Sequence, residues 1–421
     1  DERVEDGEEL DDEAAAERLS CEADRSFDLA QGPVVRLRLL RRPRGWAVLF
    51  AVHHIGVDFA SLAVLLDELG AVYGALVRGD APQLPELRSC YRDFVAWQQM
   101  RLAGPAGERS FAAWQARLAG SPPGVDLPGG LPRPRLQSFR GGVLRATVGK
   151  AEAEALRALA RRTGVNPGDV LLAAFAALVH RHTGSLEVAI GCPVPGRGGD
   201  ERFRDLVGYF VNSVVVRADL AGRPTYRELV SRVGRLAAEA REHGDYPFPL
   251  LDERLRLPRD PSRPPLFQLF FAYYEGYEER ALRLLSPDGS SLHLGDLALR
   301  PLPLARRAAM FDLSLFAGDS GEAIELTFQY GADLFTESAI ATLVGDFAAL
   351  LTAALRDPER PVAALPASLG AAALPPPSAI PAAPAAVLAA SRDRADTRRA
   401  HLERQKQLRS GTSPKTDRGD G

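Results

Sequence analysis

The residues best suited to chemistry are two adjacent histidines and an aspartate in segment 53–59, which reads His-His-Ile-Gly-Val-Asp-Phe. The segment lies between a continuous apolar run, residues 46–52, and a stretch of helical periodicity, residues 60–77. Loops between a buried strand and a helix commonly carry reactive groups. An imidazole in such a loop can transfer protons near neutral pH, and Asp58 is placed to cap the following helix.

A metal centre is the alternative use for two neighbouring histidines. The other five histidines, at positions 180, 182, 243, 293 and 401, are scattered, and no carboxylate joins the pair at a ligand spacing. We therefore expect no metal here. The pattern His-x-x-x-Asp also occurs by chance in ordinary loops, so the spacing alone leaves a purely structural role open.

Composition limits the classes of protein to which the chain can belong. It has 421 residues, 46% of them hydrophobic and 25% charged, with a formal net charge of −3, which is typical of a globular protein. This charge gives no basis for binding nucleic acid or an anionic membrane. The acidic N-terminus resembles no signal peptide, and no apolar run is expected to span a bilayer. We expect a cytoplasmic protein whose Cys21, Cys90 and Cys192 are reduced thiols.

A proline- and glycine-rich stretch, residues 121–135, is the clearest internal boundary. It divides the chain into an N-terminal subdomain over 1–120, a linker over 121–147 and a C-terminal subdomain over 148–365. Residues 366–421 are of low complexity and are predicted to be a disordered tail, in which a short helix could form near 392–409.

Hydrophobic periodicity predicts a mixture of strands and helices in both subdomains. The run 46–52 suits a strand buried on both faces, and the leucines of 60–77 predict a helix that buries one apolar face. Strands are predicted at 34–40, 46–52, 188–192, 211–217, 266–274 and 324–330, and helices at 60–77, 90–118, 150–162, 168–183, 225–243 and 336–355.

Five segments in order resemble the motifs of condensation domains from nonribosomal peptide synthetases. Segment 53–59 resembles the motif His-His-x-x-x-Asp-Gly. Segments 91–98 and 207–212 are similar to Tyr-x-Asp-Phe-Ala-x-Trp and Gly-x-Phe-Val-Asn. Segments 243–248 and 259–268 are similar to His-Gln-Asp-Tyr-Pro-Phe and Arg-Asp-x-Ser-Arg-x-Pro-Leu-Phe-Gln. The resemblance extends over roughly residues 25–365.

The resemblance implies an α+β fold, a mixed α/β sandwich of two chloramphenicol acetyltransferase-like subdomains that form a V with the active site at their junction. It implies amide-bond formation between an acyl or peptidyl thioester and an amine acceptor. Two tunnels would admit these substrates on the phosphopantetheine of carrier proteins, supplied in trans or by neighbouring modules. No cofactor would be bound directly.

The resemblance also implies roles for individual residues. His54 would orient or deprotonate the attacking amine, or stabilise the tetrahedral intermediate. His53 would shape the loop and Asp58 would hold it in place. The candidate substrate-binding residues are Gly56, Phe59, Asn212 and Ser314.

The candidates for substrate binding rest on different observations. Phe59 stands where the family has glycine, so it would narrow or reshape the acceptor side. Asn212 lies in an apolar strand, where satisfying backbone groups is the alternative role. Ser314, with Asp312, belongs to a segment that resembles a strand lining the cleft. Tyr91, Phe94 and Trp97 lie at helical spacing and are predicted to be core residues rather than substrate contacts.

Two motifs of the family are not found in the first 50 residues: a Ser-x-x-Gln-x-x-Leu-Trp-like motif and an Arg-His-x-x-Leu-Arg stretch. The second carries an arginine that pairs with the motif aspartate, so we expect an N-terminally truncated domain in which Asp58 lacks its partner. Two alternatives to condensation remain open: an inactive platform that binds carrier domains, and a related epimerisation or acyltransferase domain.

Overall fold

A six-stranded mixed sheet organises most of the chain in the structure, a computed structural model. The structure describes residues 2–43, 45–120, 124–128, 131–256, 260–275, 291–295, 297–302, 304 and 307–367. The strands are β1 (Glu2–Asp6), β2 (Val35–Arg42), β3 (Gly45–Val52), β4 (Gly141–Val148), β5 (Glu187–Val194), β6 (Asn212–Asp219), β7 (Leu269–Glu275), β8 (Leu292–Leu294), β9 (Leu297–Leu299), β10 (Leu313–Asp319) and β11 (Ile324–Gly331). The helices are α1 (Asp12–Ala23), α2 (Phe59–Arg78), α3 (Tyr91–Ala103), α4 (Pro105–Leu118), α5 (Lys150–Thr163), α6 (Pro167–Thr183), α7 (Tyr226–Glu242), α8 (Phe248–Leu255) and α9 (Glu337–Arg356).

The six-stranded sheet has the order β4-β11-β10-β7-β5-β6. Helix α6 is its main packing partner: it contacts β5, β7 and the helices α5, α7 and α9. Its residues 168–179 are all buried, because small and branched apolar side chains alternate around the helix and leave no polar face. The sheet and these helices form the main hydrophobic core.

A second, three-stranded sheet, β1-β2-β3, carries the motif loop at the end of β3. In this sheet β1 is parallel to β2, and β2 is antiparallel to β3. Helix α1 packs against β3, and the residues buried on that side include Ala15, Leu19, Leu40 and Leu49. The mixed strands and helices confirm the predicted fold class.

Two predictions about burial in this part of the chain are wrong. Strand β3 is not buried on both faces: Trp46, Val48 and Phe50 alternate along the strand, share one face and are 54%, 54% and 44% exposed, whereas Leu49 on the other face is 6% exposed. The predicted apolar face of α2 is only partly buried: Leu62, Leu65, Leu66 and Val72 are half-buried, whereas Leu69, Tyr73 and Leu76 are exposed. Small residues of α2 are buried instead, and an added Cβ at Gly70 would lie 2.9 Å from the Cβ of Leu294 in β8.

Other boundaries differ in detail from the sequence-based prediction. The predicted linker 121–147 overlaps β4, which pairs with β11 over its whole length. The predicted helix 90–118 is two helices, α3 and α4, because Gly104 adopts an extended conformation and Pro105 starts the second. The tail helix near 392–409 lies outside the described residues, and the two-subdomain division stays a prediction.

Contrary to the expectation that no apolar run could span a bilayer, α2 and α9 are long and apolar enough by composition to do so. In α9 the inward side chains Ile340, Leu343, Phe347 and Leu350 are each at most 2% exposed. Such a helix at the centre of a core passes the same test of length and composition.

We predict that Gly168→Ala destabilises the protein while Gly345→Ala does not. An added Cβ at Gly168 would lie 2.8 Å from the Cβ of Tyr273, so α6 would have to move away from β7. An added Cβ at Gly345 in α9 meets no atom within 4 Å. The free energy of unfolding in urea should fall by about 1–3 kcal/mol for Gly168→Ala and rise by about 0.5–1 kcal/mol for Gly345→Ala. Equal effects would contradict this packing.

Candidate active site

The motif loop is a tight turn between β3 and α2. The backbone N–H of His53 donates to the carbonyl of Val34 (2.9 Å), and the N–H of Gly56 donates back to the carbonyl of His53 (3.0 Å). The loop then enters α2 at Asp58, the N-cap residue, whose Oδ1 accepts from the N–H of Ser61 (2.8 Å). The predicted N-cap role of Asp58 is confirmed by this bond.

Among the described residues, the His54 side chain has a hydrogen bond to Val57 and an aromatic contact with Tyr209. Its Nδ1 lies 2.6 Å from the carbonyl oxygen of Val57. Because a carbonyl can only accept, Nδ1 carries the hydrogen, and in the neutral form of such a ring the lone pair is on Nε2. The ring of Tyr209 lies edge to face at 5.1 Å between centroids. His54 is exposed as a residue, and its hydrogen bond to Val57 is partly buried.

His53 is turned into the loop. Its Nδ1 accepts a hydrogen bond from the N–H of Ile55 (3.1 Å), and its ring packs edge to face against Phe27 at 5.9 Å. These contacts fit the loop-shaping role that the resemblance implies for His53.

Asp58 is 3% exposed, so its carboxylate needs partners within the protein. Arg197 supplies them: Nη1 donates to Oδ2 (2.8 Å) and Nη2 donates to Oδ1 (3.1 Å). The N–H of Phe210 also donates to Oδ2 (3.3 Å). The expectation that Asp58 lacks an arginine partner is therefore wrong.

Arg197 is itself fully engaged. Its Nε donates to the carbonyl of Phe203 (3.2 Å) and its Nη2 to the carbonyl of Leu206 (3.0 Å). The guanidinium carbon lies 4.2 Å from the ring centroid of Phe210, a cation–π arrangement. Arg197 thus joins Asp58 to the chain segment 203–210.

Segment 208–210 is held against the motif loop by two further side chains. The N–H of Gly208 donates to Oγ of Ser61 (3.1 Å), and the hydroxyl of Tyr91 donates to the carbonyl of Tyr209 (2.7 Å). An added Cβ at Gly208 would lie 2.4 Å from the Tyr91 ring, so this approach requires glycine. Burial, with a smaller contribution from the Asp58 charge, raises the pKa of Tyr91 and of Tyr209, which keeps both phenols protonated at neutral pH.

The site lies at the end of the six-stranded sheet where the carboxyl ends of β5, β7 and β10 meet. Strands β5, β7 and β10 are parallel, and the first residue of β6 pairs with the last residue of β5, Val194↔Asn212. Arg197 follows β5, Tyr209 precedes β6 and Tyr274 lies near the end of β7. The carboxyl ends of parallel strands are a common place for binding sites.

Phe59, the first residue of α2, makes an aromatic contact with Tyr274 at this end of the sheet. Its ring centroid lies 4.5 Å from that of Tyr274, and both side chains are partly buried. Gly56 has room for a side chain, because an added Cβ would make only ordinary contacts, the nearest at 3.5 Å from Val34. Substrate binding by Phe59 and Gly56 stays a prediction.

The structure gives Asn212 and Ser314 other surroundings. The side-chain amide nitrogen of Asn212 donates to the carbonyls of Gly244 and Tyr246, both at 2.7 Å, and its oxygen accepts from the N–H of Phe248 (2.9 Å). Both amide hydrogens are used, so no donor is left for a substrate. Ser314 is 1% exposed within β10, so its hydroxyl does not reach an open cleft.

Asp312 and the core residues have defined partners as well. Asp312 is paired with Arg133, and both line a cavity with Gln137, Phe139 and Leu334 that does not include the motif loop. Phe94 is 3% exposed and packs against Phe203 and Phe210, which confirms its predicted core role, and Trp97 is partly buried against the same cluster. The core role predicted for Tyr91 is wrong, because its side chain is 38% exposed and its hydroxyl binds the carbonyl of Tyr209. Within the described ranges no group of three or more histidine, cysteine, aspartate or glutamate side chains could hold a metal ion.

Sequence reasoning missed Arg197, Ser61 and Tyr209. Arg197 stands in the glycine-rich segment 195–199, directly after a buried strand, and this pattern could have singled it out as a loop cation. Tyr209 lies in a recognised motif but was not assigned a role. Nothing local marks Ser61, whose partner Gly208 is 147 residues away.

Comparison with known proteins gives consistent matches. A sequence model of the family described as "Condensation domain" matches residues 2–368. One of the subunits of linear gramicidin synthase from Brevibacillus parabrevis is 36% identical over 362 residues, which cover 85% of this chain and 4% of that protein. Phosphinothricin tripeptide synthetase PhsB of Streptomyces viridochromogenes is 38% identical over 357 residues, which cover 84% of this chain and 29% of that protein. The chain thus spans less than a third of either relative.

A solved structure is also similar to the fold. The complex of the X-domain and OxyB from teicoplanin biosynthesis matches with a TM-score of 0.74 and 26% identity, over 87% of this chain and 79% of that chain.

We predict that Arg197→Met strongly destabilises the protein. The change leaves the Asp58 carboxylate buried without its cation, which typically costs about 3–5 kcal/mol. Arg202→Met is the control, because Arg202 pairs with Asp200 in a pair whose side chains are 56% and 27% exposed and should matter by less than about 1 kcal/mol. Urea unfolding measures both.

A double-mutant cycle isolates the ion pair. Asp58→Asn combined with Arg197→Met should cost less than the sum of the two single changes, since the double variant leaves no buried charge unpaired. Additive costs would show that the two side chains are not energetically coupled.

Proposed function

Because this chain belongs to the condensation-domain family, we propose that it forms an amide bond between a carrier-bound acyl or peptidyl thioester and an amine acceptor in the biosynthesis of a peptide antibiotic. Members of the family act on substrates tethered to the phosphopantetheine of carrier domains. The observation that carries the proposal is that His54 is exposed and that its Nδ1–H is bound by the carbonyl of Val57, so that the neutral ring would offer the lone pair of Nε2 to a substrate.

The proposed reaction needs one proton acceptor at the amine. The amine nitrogen attacks the thioester carbonyl, Nε2 of His54 takes a proton from the nitrogen, and the tetrahedral intermediate collapses with loss of the thiolate. The same proton then neutralises the leaving sulfur. A thioester is already activated, so positioning two tethered groups supplies much of the rate, and one neutral imidazole suffices for proton transfer.

Asp58 has no part in the proton transfer of this mechanism. Its carboxylate is directed to Arg197 and to the backbone of α2 and segment 208–210, whereas the hydrogen bond of His54 runs to Val57. Asp58 would hold the loop so that His54 meets the substrates. The acyl donor and the amine would be brought by carrier domains of the same or neighbouring modules.

A non-catalytic platform is the second candidate function. It is favoured by the likeness to the X-domain, which in that structure is in complex with OxyB. A platform would bind carrier domains or a partner enzyme through the same framework, without turnover.

We predict that His54→Ala lowers the rate of amide formation by about 100-fold or more, as loss of a general base does. The assay loads one carrier domain with an acyl thioester and a second with an aminoacyl thioester, and follows the product by mass spectrometry. His293→Ala is the matched control, because His293 is also exposed but lies on β8.

The outcomes of this assay separate the candidates. Amide formed by the wild type and by His293→Ala but not by His54→Ala supports catalysis. Carrier binding that is equal in all three, without product in any, supports the platform. Inversion of the donor stereocentre without amide would indicate the related epimerisation reaction.

We predict that Phe59→Gly relaxes the choice of acceptor. Removing the ring opens the space against Tyr274, so kcat/KM for a bulky aminoacyl acceptor should rise about tenfold relative to a small one. Phe59→Leu should give an intermediate ratio, and Tyr274→Leu should shift it in the same direction. An unchanged ratio in folded variants would exclude Phe59 from the acceptor side.

A further inference from the structure

The His54 ring depends on few contacts for its orientation. One hydrogen bond to Val57 fixes Nδ1 but leaves the ring free to swing about that point. The ring of Tyr209 supplies the second contact, at 5.1 Å between centroids and an interplanar angle of 76°, which is a favoured edge-to-face geometry.

The position of Tyr209 is fixed by backbone hydrogen bonds of segment 208–210 to three different side chains. Its carbonyl accepts from Tyr91, the preceding Gly208 is bonded to Ser61, and the following N–H, of Phe210, donates to Asp58. The donors and acceptors on the other side of these bonds all come from α2, its N-cap and α3. The ring of Tyr209 therefore reaches His54 only when segment 208–210 is docked on the motif loop.

The tyrosine hydroxyl is not needed for this contact. Tyr209 is 42% exposed, and no side-chain hydrogen bond of its hydroxyl is found among the described residues. The ring alone touches the imidazole, so phenylalanine should replace tyrosine without loss.

We propose that Tyr209 is a positioning residue: its ring holds the His54 imidazole so that Nε2 faces the incoming amine. The proposal rests on the proposed amide-forming function for its effect on rate, but its effect on the imidazole itself is independent of turnover. In this proposal, the reactivity of the motif loop depends on the docking of segment 208–210, which is more than 150 residues away in the chain.

The test compares Tyr209→Phe, Tyr209→Ala and a control, Tyr73→Ala, whose ring is 38% exposed on α2. In the two-carrier assay Tyr209→Ala should lower kcat about tenfold, the upper range of what one ring pair contributes, while KM stays within about twofold, since substrate binding is not altered. Tyr209→Phe and Tyr73→Ala should retain wild-type kcat. Equal midpoints of unfolding in urea establish that the variants are folded.

A second readout reports on the ring directly. In protein labelled with ¹⁵N-histidine, the His54 signals, assigned by their loss in His54→Ala, should show the Nδ1–H tautomer in the wild type and in Tyr209→Phe. In Tyr209→Ala they should move towards the average of the two tautomers, because the bond to Val57 is made only part of the time.

Each result bears on the proposal. An unchanged kcat and unchanged ring signals in folded Tyr209→Ala would overturn it. Loss of kcat in Tyr209→Phe with intact ring signals would also overturn it, in favour of a role for the hydroxyl. If the wild type forms no amide, the proposed function fails, and the ring signals alone still decide whether Tyr209 orients His54.

Discussion

The buried carboxylate of Asp58 is the constraint on which the site depends. A carboxylate that is 3% exposed is stable only if its lone pairs are matched by donors. Those donors come from two distant parts of the chain: Ser61 at the start of α2, and Arg197 with the N–H of Phe210 beside β5 and β6. Satisfying one side chain therefore fixes the motif loop against the edge of the six-stranded sheet. The position of Tyr209 beside the His54 ring follows from that docking.

The docking also explains glycines that no local rule requires. An added Cβ at Gly196 would lie 1.6 Å from the carbonyl oxygen of Phe210, and one at Gly208 would meet the Tyr91 ring. Neither glycine has the positive φ that favours glycine in turns. Both are needed because two loops and a helix pass within van der Waals contact around the Asp58–Arg197 pair. Tertiary packing, and not backbone conformation, explains why both positions are glycine.

The parts of the structure that sequence could predict are those fixed by local rules. Helical periodicity gave α6 and α9 closely, and the N-cap role of Asp58 followed from its position before an apolar stretch. Burial of β3 was mispredicted because apolar composition does not reveal whether another layer packs on each face of a strand, and one face of β3 is exposed. The partner of Asp58 was missed because it stands 139 residues further along the chain. To identify that partner one must know that β5 and β7 are parallel neighbours in the sheet, and no local sequence pattern contains this information.

Asp58, His53 and His54 make different contacts within the motif, and this difference bears on whether the domain is catalytic. Asp58 performs the structural task, since it joins the loop, α2 and segment 208–210. His53 shapes the turn through the N–H of Ile55. His54 does neither: its one hydrogen bond runs to Val57 in its own loop, and its remaining contact is a ring that the other elements hold in place. A platform would need Asp58 and His53 to fold the loop. The proposed amide formation would in addition use the imidazole of His54.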